Sequence, residues 1–314
     1  MKKKIISTFM AGVMGFMITA CGSAAAKESA GTTTDASEAV SVTAKEGASV
    51  SPSESESISS TSEEISEDVQ AIIDRGVLKV GVKNAVIGFG YEDPLTGEYS
   101  GLEIELAKAL AEKLGVDVEF TAVTAATRTE LLDSGDIDCV LATFTITDER
   151  KESWDFTTPY YTDYVSVLVE DSKEITTLEN LLDTTVGVSS GSTSAKSLVS
   201  AMIDEGIISG EDFDPETFDP ATWTEGVKFQ QYDDYPTIST ALSAGEVDAF
   251  CVDKSILAIY KTEGRSYIDA EFSPQEYGIA TTKDSGLSEV AEELVTSLLE
   301  DGTIDSLIKE NGLE

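Results

Sequence analysis

The stretch LDSGDIDCVLAT (residues 132–143) returns further along the chain as LSAGEVDAFCVD (242–253), with Leu132 answered by Leu242, Gly135 by Gly245 and Asp138 by Asp248. Each copy reads as a helix end, a glycine stop, an acid, and then an apolar run of strand length. A second pair, VGVKN (80–84) and VGVSS (186–190), lies upstream of each copy. Between these landmarks strand and helix signals alternate. VLKVGVK (77–83) puts Leu78, Val80 and Val82 on one strand face, and GLEIELAKALAEKLG (101–115) spaces Leu102, Leu106, Leu110 and Leu114 as a helical stripe ending at Gly115. VDVEFTAV, TRTELLDSG and DIDCVLATF continue as strand, helix, strand; TTVGVSSG, TSAKSLVSAMIDEG, VKFQQY, PTISTALSAG and EVDAFCVD repeat the plan. Strand–helix–strand alternation predicts sheets covered by helices. The expected fold is α/β and two-lobed, each lobe a mostly parallel sheet.

Open α/β sheets bind ligands at the carboxyl ends of their strands. Lys83, Thr143, Ser189 and Asp253 fall at such ends, and two facing lobes would bring them together. Simpler roles exist: Asp253 can cap the helix KSILAIY, and Thr147 the helix DERKESW. Both are compatible with a ligand, because a helix N-terminus is itself an anion site.

The chain has 314 residues, 41% of them hydrophobic, and 21 basic against 59 acidic residues give a net charge of -38. That excludes a nucleic-acid or anionic-membrane binder driven by bulk charge. Local cations can still hold an anion, because charges beyond about 8 Å are largely screened at physiological salt. Residues 1–20 read as a secretory signal: Lys2, Lys3 and Lys4, then the apolar run IISTFMAGVMGFM, too short to span a membrane comfortably. ITAC (18–21) matches a bacterial lipobox, which would leave Cys21 as an acylated (palmitate-bearing) N-terminus on the extracellular face of the cytoplasmic membrane; the alternative is an ordinary signal peptide with a chance cysteine. Residues 22–66, rich in Ser, Thr and Glu, have the composition of an unfolded spacer. Cys139 and Cys251 sit in apolar runs and read as buried core residues, with a disulfide left open.

A zwitterion needs donors for its carboxylate and an acceptor for its ammonium. Arg150 is a forked, permanently charged donor, and the Thr143 and Thr145 hydroxyls can complete a carboxylate clamp. SGSTS (190–194) offers hydroxyls and outward N–H groups at a helix start. Asp253 supplies the carboxylate for an ammonium. Phe89 and Tyr91 are either walls of the site or plain core residues.

These pieces resemble the extracellular solute-binding proteins of ABC importers for polar amino acids. The resemblance runs from Gly76 to Leu313 and is carried by GLEIELAKALAEKLG, TFTITDERKESWDFTTPYY, GEVDAFCVDKSILA and QEYGIATTKD. It implies that Thr143, Thr145 and Arg150 hold an α-carboxylate, that Asp253 holds the α-ammonium, and that Gly191, Ser192 and Thr193 form the second-lobe turn. VGVKNAVIGFGYEDPLTGEYSG and AATRTELLDSG are similar to the aspartate/glutamate-binding subgroup, which makes Lys83 and Arg128 a second cationic clamp for a side-chain carboxylate; Tyr235 and Tyr277 would line the cleft. Arg128 could otherwise be an exposed helix-start residue. The resemblance further implies lobe 1 from 67–164 and 275–314 and lobe 2 from 165–274, with crossings near Tyr160–Tyr164 and Gln275–Tyr277. It implies a monomer that closes on a free amino acid and delivers it to permease and ATPase subunits, with no cofactor or metal and no enzymatic activity. The alternatives are a glutamine or cystine binder, or a surface sensor or adhesin.

Three signals point elsewhere and are set aside. GVSSG (187–191) fits a hydrolase nucleophile elbow, but the chain has no histidine for a triad. DFDPETFDP (212–220) alternates acids like a calcium loop yet lacks its glycine, and reads as a solvated surface loop in an inserted or divergent segment, 208–226. Asp136 and Asp138 look like paired glycosidase acids, but the recurrence of Asp138 as Asp248 at a strand start favours a structural role.

Overall fold

The computed structural model describes residues 65–314. The signal, Cys21 and all of the spacer except Ile65 and Ser66 lie outside the described residues. Helix α1 (Glu67–Arg75) leads into β1 (Val77–Val82), a small ribbon of β2 (Ala85–Val86), β3 (Gly90–Glu92) and β4 (Tyr99–Ser100), then α2 (Leu102–Leu114), β5 (Asp117–Ala122), α3 (Arg128–Asp133), β6 (Cys139–Leu141), α4 (Asp148–Ser153) and β7 (Trp154–Phe156). The long strand β8 (Tyr161–Glu170) carries the chain into a second sheet, where β9 (Thr185–Ser189), α5 (Ser194–Asp204), β10 (Lys228–Tyr232), α6 (Tyr235–Ala244), β11 (Ala249–Asp253), α7 (Lys254–Leu257) and β12 (Arg265–Tyr267) follow. Strand β13 (Phe272–Tyr277) returns to the first sheet, which β14 (Ala280–Thr282), α8 (Gly286–Glu300) and α9 (Thr303–Glu310) complete.

The two sheets are ordered β5-β1-β6-β14-β7 and β10-β9-β11-β8-β12, and define two lobes. Both are mixed rather than mostly parallel. Parallel pairing joins β5, β1 and β6 in one and β10, β9 and β11 in the other, while β14 and β8 pair antiparallel to their neighbours. The alternating strand–helix pattern registers only the parallel units; the strands that carry the chain between lobes run back along the sheets and leave no such pattern. Between the lobes β8 and β13 pair antiparallel, with Tyr277 opposite Tyr161 and Gln275 opposite Asp163.

The sequence repeat has a shared mechanical meaning. The Asp138 carboxylate accepts the Lys79 N–H at 2.7 Å, and its own N–H donates to the Lys79 carbonyl. Asp248 does the same to Thr185, at 3.0 Å from the carboxylate. Each acid thus fixes the register of its strand against β1 or β9. A Cβ on Gly81 would lie 2.6 Å from Ile137, and one on Gly187 2.7 Å from Ile238 and 3.3 Å from Val247, so both glycines make room for residues leading into the neighbouring strand. The Leu78, Val80 and Val82 face is wholly buried, as are Leu102, Leu106 and Leu110 of α2, with Gly115 closing that helix in the left-handed conformation. Cys139 and Cys251 are buried and unpaired.

Residues 208–226 differ from a solvated loop. Phe213, Phe218 and Trp223 form an aromatic cluster with ring centroids 5.5 to 5.8 Å apart, packed on the second core. The acids Asp214 and Asp219 accept the N–H groups of Glu216 and Ala221, which turns the loop back on itself. Aromatics spaced across an acidic segment have no helical or strand period, so only the folded loop reveals that they converge. Among the described residues no helix is long and apolar enough to cross a membrane.

Replacing Asp138 or Asp248 by Ala strands a half-buried strand N–H and should lower stability by about 1 kcal/mol in chemical denaturation. Unchanged midpoints would contradict the register role.

Candidate functional site

Strand ends and helix starts from both lobes converge on one crevice. Thr143 follows β6 in the left-handed region at φ 44, an unfavourable conformation for a β-branched residue. Its N–H donates to Glu103 at 2.5 Å and its carbonyl accepts from Arg128 Nη1 at 3.2 Å. Arg128, at the start of α3, also donates to the Ala142 carbonyl and stacks 3.9 Å from the centre of the Phe144 ring. It is 3% exposed, which removes the reading of a surface helix-start residue. Burial lowers its pKa.

Arg150 lies over the same ring at 4.7 Å. The Thr147 hydroxyl caps α4 by accepting the Arg150 N–H, so the helix start orients the side chain. The guanidinium donates to the Thr145 carbonyl at 2.6 Å and, across the crevice, to the Gly191 carbonyl at 3.1 Å. Burial and then the neighbouring Arg128 bring its pKa down to about 9. Lys83, at the end of β1, is buried with its ammonium 5.4 Å over the Tyr235 ring. Burial first, and Arg128 second, push its pKa well below the usual lysine range; Glu103 and Asp253 act in the opposite direction. Among the described residues none of the three cations forms a salt bridge.

Opposite them sits Asp253, the last residue of β11. Its side chain does not cap α7; it accepts from the Tyr277 hydroxyl, which also lies 3.4 Å from Asp163. Burial, with the Asp163 charge behind it, raises the Asp253 pKa to about 7. Gln275, on β13, links the lobes: its Oε1 accepts from Thr145 at 2.9 Å and from Thr193 at 2.7 Å. Gly191 has φ 74, and a Cβ there would come 2.6 Å from the Ala125 carbonyl, so the lobes approach closely at this turn. Ser192 folds its hydroxyl onto the Ser189 carbonyl at 2.7 Å.

Lys83, Arg128, Thr143, Thr145, Arg150, Gly191, Thr193, Tyr235, Asp253 and Tyr277 therefore share the crevice. Phe89 and Tyr91 do not. Phe89 is fully buried behind it, 5.1 Å from Tyr161 and 5.6 Å from Tyr277, and Tyr91 is a ribbon residue paired with Ala85 and Ser100. Val86 and Ala125 take the wall position, beside Lys83 and Ser189, around a cavity of about 40 Å³. A larger one, about 340 Å³, lies on the far side of the arginines and is bounded by Gly191, Thr193, Lys196, Pro215 and Phe218. Sequence reasoning missed Glu103, Asp163, Tyr160 and Gln275. Glu103 carried a signal: it falls on the helix face of Ala107, Leu110 and Ala111, where an acid is out of place.

Two lobes joined by antiparallel strands, with a charged crevice between, define a two-lobed α/β binding protein. The family model for bacterial extracellular solute-binding proteins, family 3, matches residues 78–313, and the chain belongs to that family. It is 33% identical over 223 residues to a glutamine-binding protein of Geobacillus stearothermophilus (69% of this chain, 77% of that protein). It is 29% identical over 266 residues to a glutamate-binding protein of Corynebacterium efficiens (79% and 83%). Its fold matches the crystal structure of an amino acid ABC transporter substrate-binding protein of Streptococcus pneumoniae bound to L-arginine, with a TM-score of 0.64, 25% identity, and 77% and 97% of the two chains covered.

A side chain at Gly191 would meet backbone, and such overpacking costs about 1–3 kcal/mol. Gly191→Ala should hold the lobes apart, giving a larger radius of gyration in X-ray scattering, with the thermal midpoint lowered by the left-handed backbone at φ 74 but the fold kept. Scattering identical to the parent protein would refute the close approach.

Proposed function

We propose that this chain is the ligand-capturing component of an amino-acid ABC importer and that its ligand is an acidic amino acid, glutamate or aspartate. One observation carries the reading: Lys83 and Arg128 are buried and Arg150 half-buried beside them, with no salt-bridged carboxylate among the described residues. Desolvated cations are stabilised by desolvated anions. A dicarboxylic amino acid brings two carboxylates, one for Arg150 with the Gly191 N–H and the Thr145 and Thr193 hydroxyls, which would turn to it from Gln275, and one for Lys83 and Arg128. Asp253 receives the ammonium. Because the ligand touches both lobes only when they close, its binding energy favours closure about β8 and β13. The rest of the proposal follows the same frame: a signal over 1–20, lipid at Cys21, a spacer to residue 66, lobe 1 from 67–164 and 275–314, lobe 2 from 165–274, a monomer handing its ligand to a permease, and no catalysis.

The glutamine-binding relative favours a second reading, a neutral side chain in the same pocket. Calorimetry with glutamate, aspartate, glutamine and cystine separates the two. A preference for glutamine would overturn the acidic-ligand reading; uptake unchanged in a strain lacking this protein would favour sensing over transport.

Arg150→Ala and Asp253→Ala each leave a ligand charge buried without its partner, worth about 3–5 kcal/mol, and should abolish measurable binding while the circular dichroism spectrum is kept. Lys83→Ala should weaken acidic ligands and spare glutamine; equal weakening of both would show that the lysine does not read side-chain charge.

The ammonium requires ionised Asp253, whose ligand-free pKa is about 7. Affinity should fall about tenfold per pH unit below pH 7, as binding then expels a proton, and should fall again at high pH, where Lys83 and, near pH 9, Arg150 lose the charges that hold the carboxylates. A flat profile from pH 5 to 8 in calorimetry would contradict this.

A further inference from the structure

We infer that Glu103 is a positioning and specificity-determining residue of the crevice: it holds the Thr143 backbone in its left-handed turn and sets how strongly the site favours a side-chain carboxylate over an amide. The specificity half of this inference rests on the acidic-ligand reading above; the positioning half does not.

Glu103 is the second residue of α2 and is fully buried. A carboxylate in that place needs partners. One oxygen has two, the Thr143 N–H at 2.5 Å and the Tyr160 hydroxyl at 2.6 Å. The other, Oε2, is buried with no hydrogen-bond partner among the described residues. The bonded oxygen ties three parts of the chain together: helix α2, the turn after β6, and Tyr160, just before strand β8. Its grip on Thr143 explains how a β-branched residue is kept at φ 44. That conformation in turn aims the Thr143 carbonyl at Arg128 Nη1, 3.2 Å away. The line Glu103, Thr143, Arg128 therefore sets where one of the two side-chain cations stands.

The same carboxylate is a counter-charge. Burial raises the Glu103 pKa, while the charges of Lys83 and Arg128 act to keep it ionised, and its field favours their charged forms in turn. Among the described residues no salt bridge discharges it. It offsets part of the positive potential that an incoming anion meets, while a neutral amide is nearly indifferent to it. At a pH where Lys83 still carries its proton, removing the charge without removing the side chain should leave the pocket more positive. The acid-to-amide preference should then rise, against the intuition that losing a buried charged residue only damages a site.

Glu103→Gln tests this in the full mature chain, with glutamate and glutamine as the probe pair in calorimetry. The expected result, measured where Lys83 is charged, is a rise of about tenfold in the ratio of glutamate to glutamine affinity, the effect of one unit charge about 10 Å away at an effective dielectric of about 20. Loss of both affinities in equal proportion, or an unchanged ratio, would overturn the specificity role. Tyr160→Phe serves if Glu103→Gln does not fold: it removes a donor to the carboxylate, favours its protonated form, and should move the ratio in the same direction by a smaller factor. A readout without ligand separates this inference from the assignment of the ligand. Followed by side-chain nitrogen NMR, the Lys83 ammonium should lose its proton at lower pH in either variant than in the parent protein; an unmoved titration would overturn the counter-charge. A parent protein that prefers glutamine would sink the acidic-ligand reading, while the Lys83 titration would still decide for or against the counter-charge.

Discussion

Three cations, Lys83 and Arg128 buried and Arg150 half-buried, have to be held side by side inside a chain whose net charge is -38. Much of the architecture around the crevice answers that demand. Each cation enters from a different element, so none can be relieved by moving a single loop. The Phe144 ring serves both guanidinium groups, at 3.9 and 4.7 Å, and Tyr235 serves the ammonium. Backbone carbonyls of Ala142, Thr143, Thr145 and Gly191 take the arginine donors that would otherwise face water. These contacts hold direction without cancelling charge, which is why the pKa values of the cations fall.

On the other side of the crevice the problem is reversed. Asp253 and Asp163 face one tyrosine hydroxyl, and each carboxyl is pushed upward by burial, Asp253 to about 7. The crevice is thus polarised, cationic at the ends of β1 and β6 and anionic at the end of β11. A molecule bearing both charges completes both halves, whereas a simple anion or cation relieves only one. The crossing strands make this possible, since Tyr277 and Gln275 lie on β13 and touch groups from both lobes.

Most of the candidate site was legible because polar residues at strand ends are conspicuous. Lys83, Thr143 and Asp253 interrupt apolar runs, and nothing in a buried strand calls for them. Arg150 stood out as a forked, permanently charged donor, and its carboxylate role came with the family resemblance. Phe89 and Tyr91 stayed undecided for the converse reason: an aromatic near a strand end has equal use as wall and as core, and the sequence holds no record of which way a short ribbon turns. Gln275 and Glu103 were missed because each is one polar residue within an otherwise ordinary element. Their importance lies in partners 130 and 40 residues away. The aromatic cluster of 208–226 was hidden in the same way, its rings being brought together by turns rather than by a period.

By itself the sequence determined the two-lobed α/β plan, the parallel strands, the glycine stops and the acids that pin the strand registers, because these depend on contacts within one strand–helix unit and on local periodicity. Only the tertiary structure decided which side chains share a crevice, that both sheets are mixed, and that the cations stand without carboxylate partners among the described residues. Those outcomes depend on burial, and burial is a property of what the rest of the chain places against a residue.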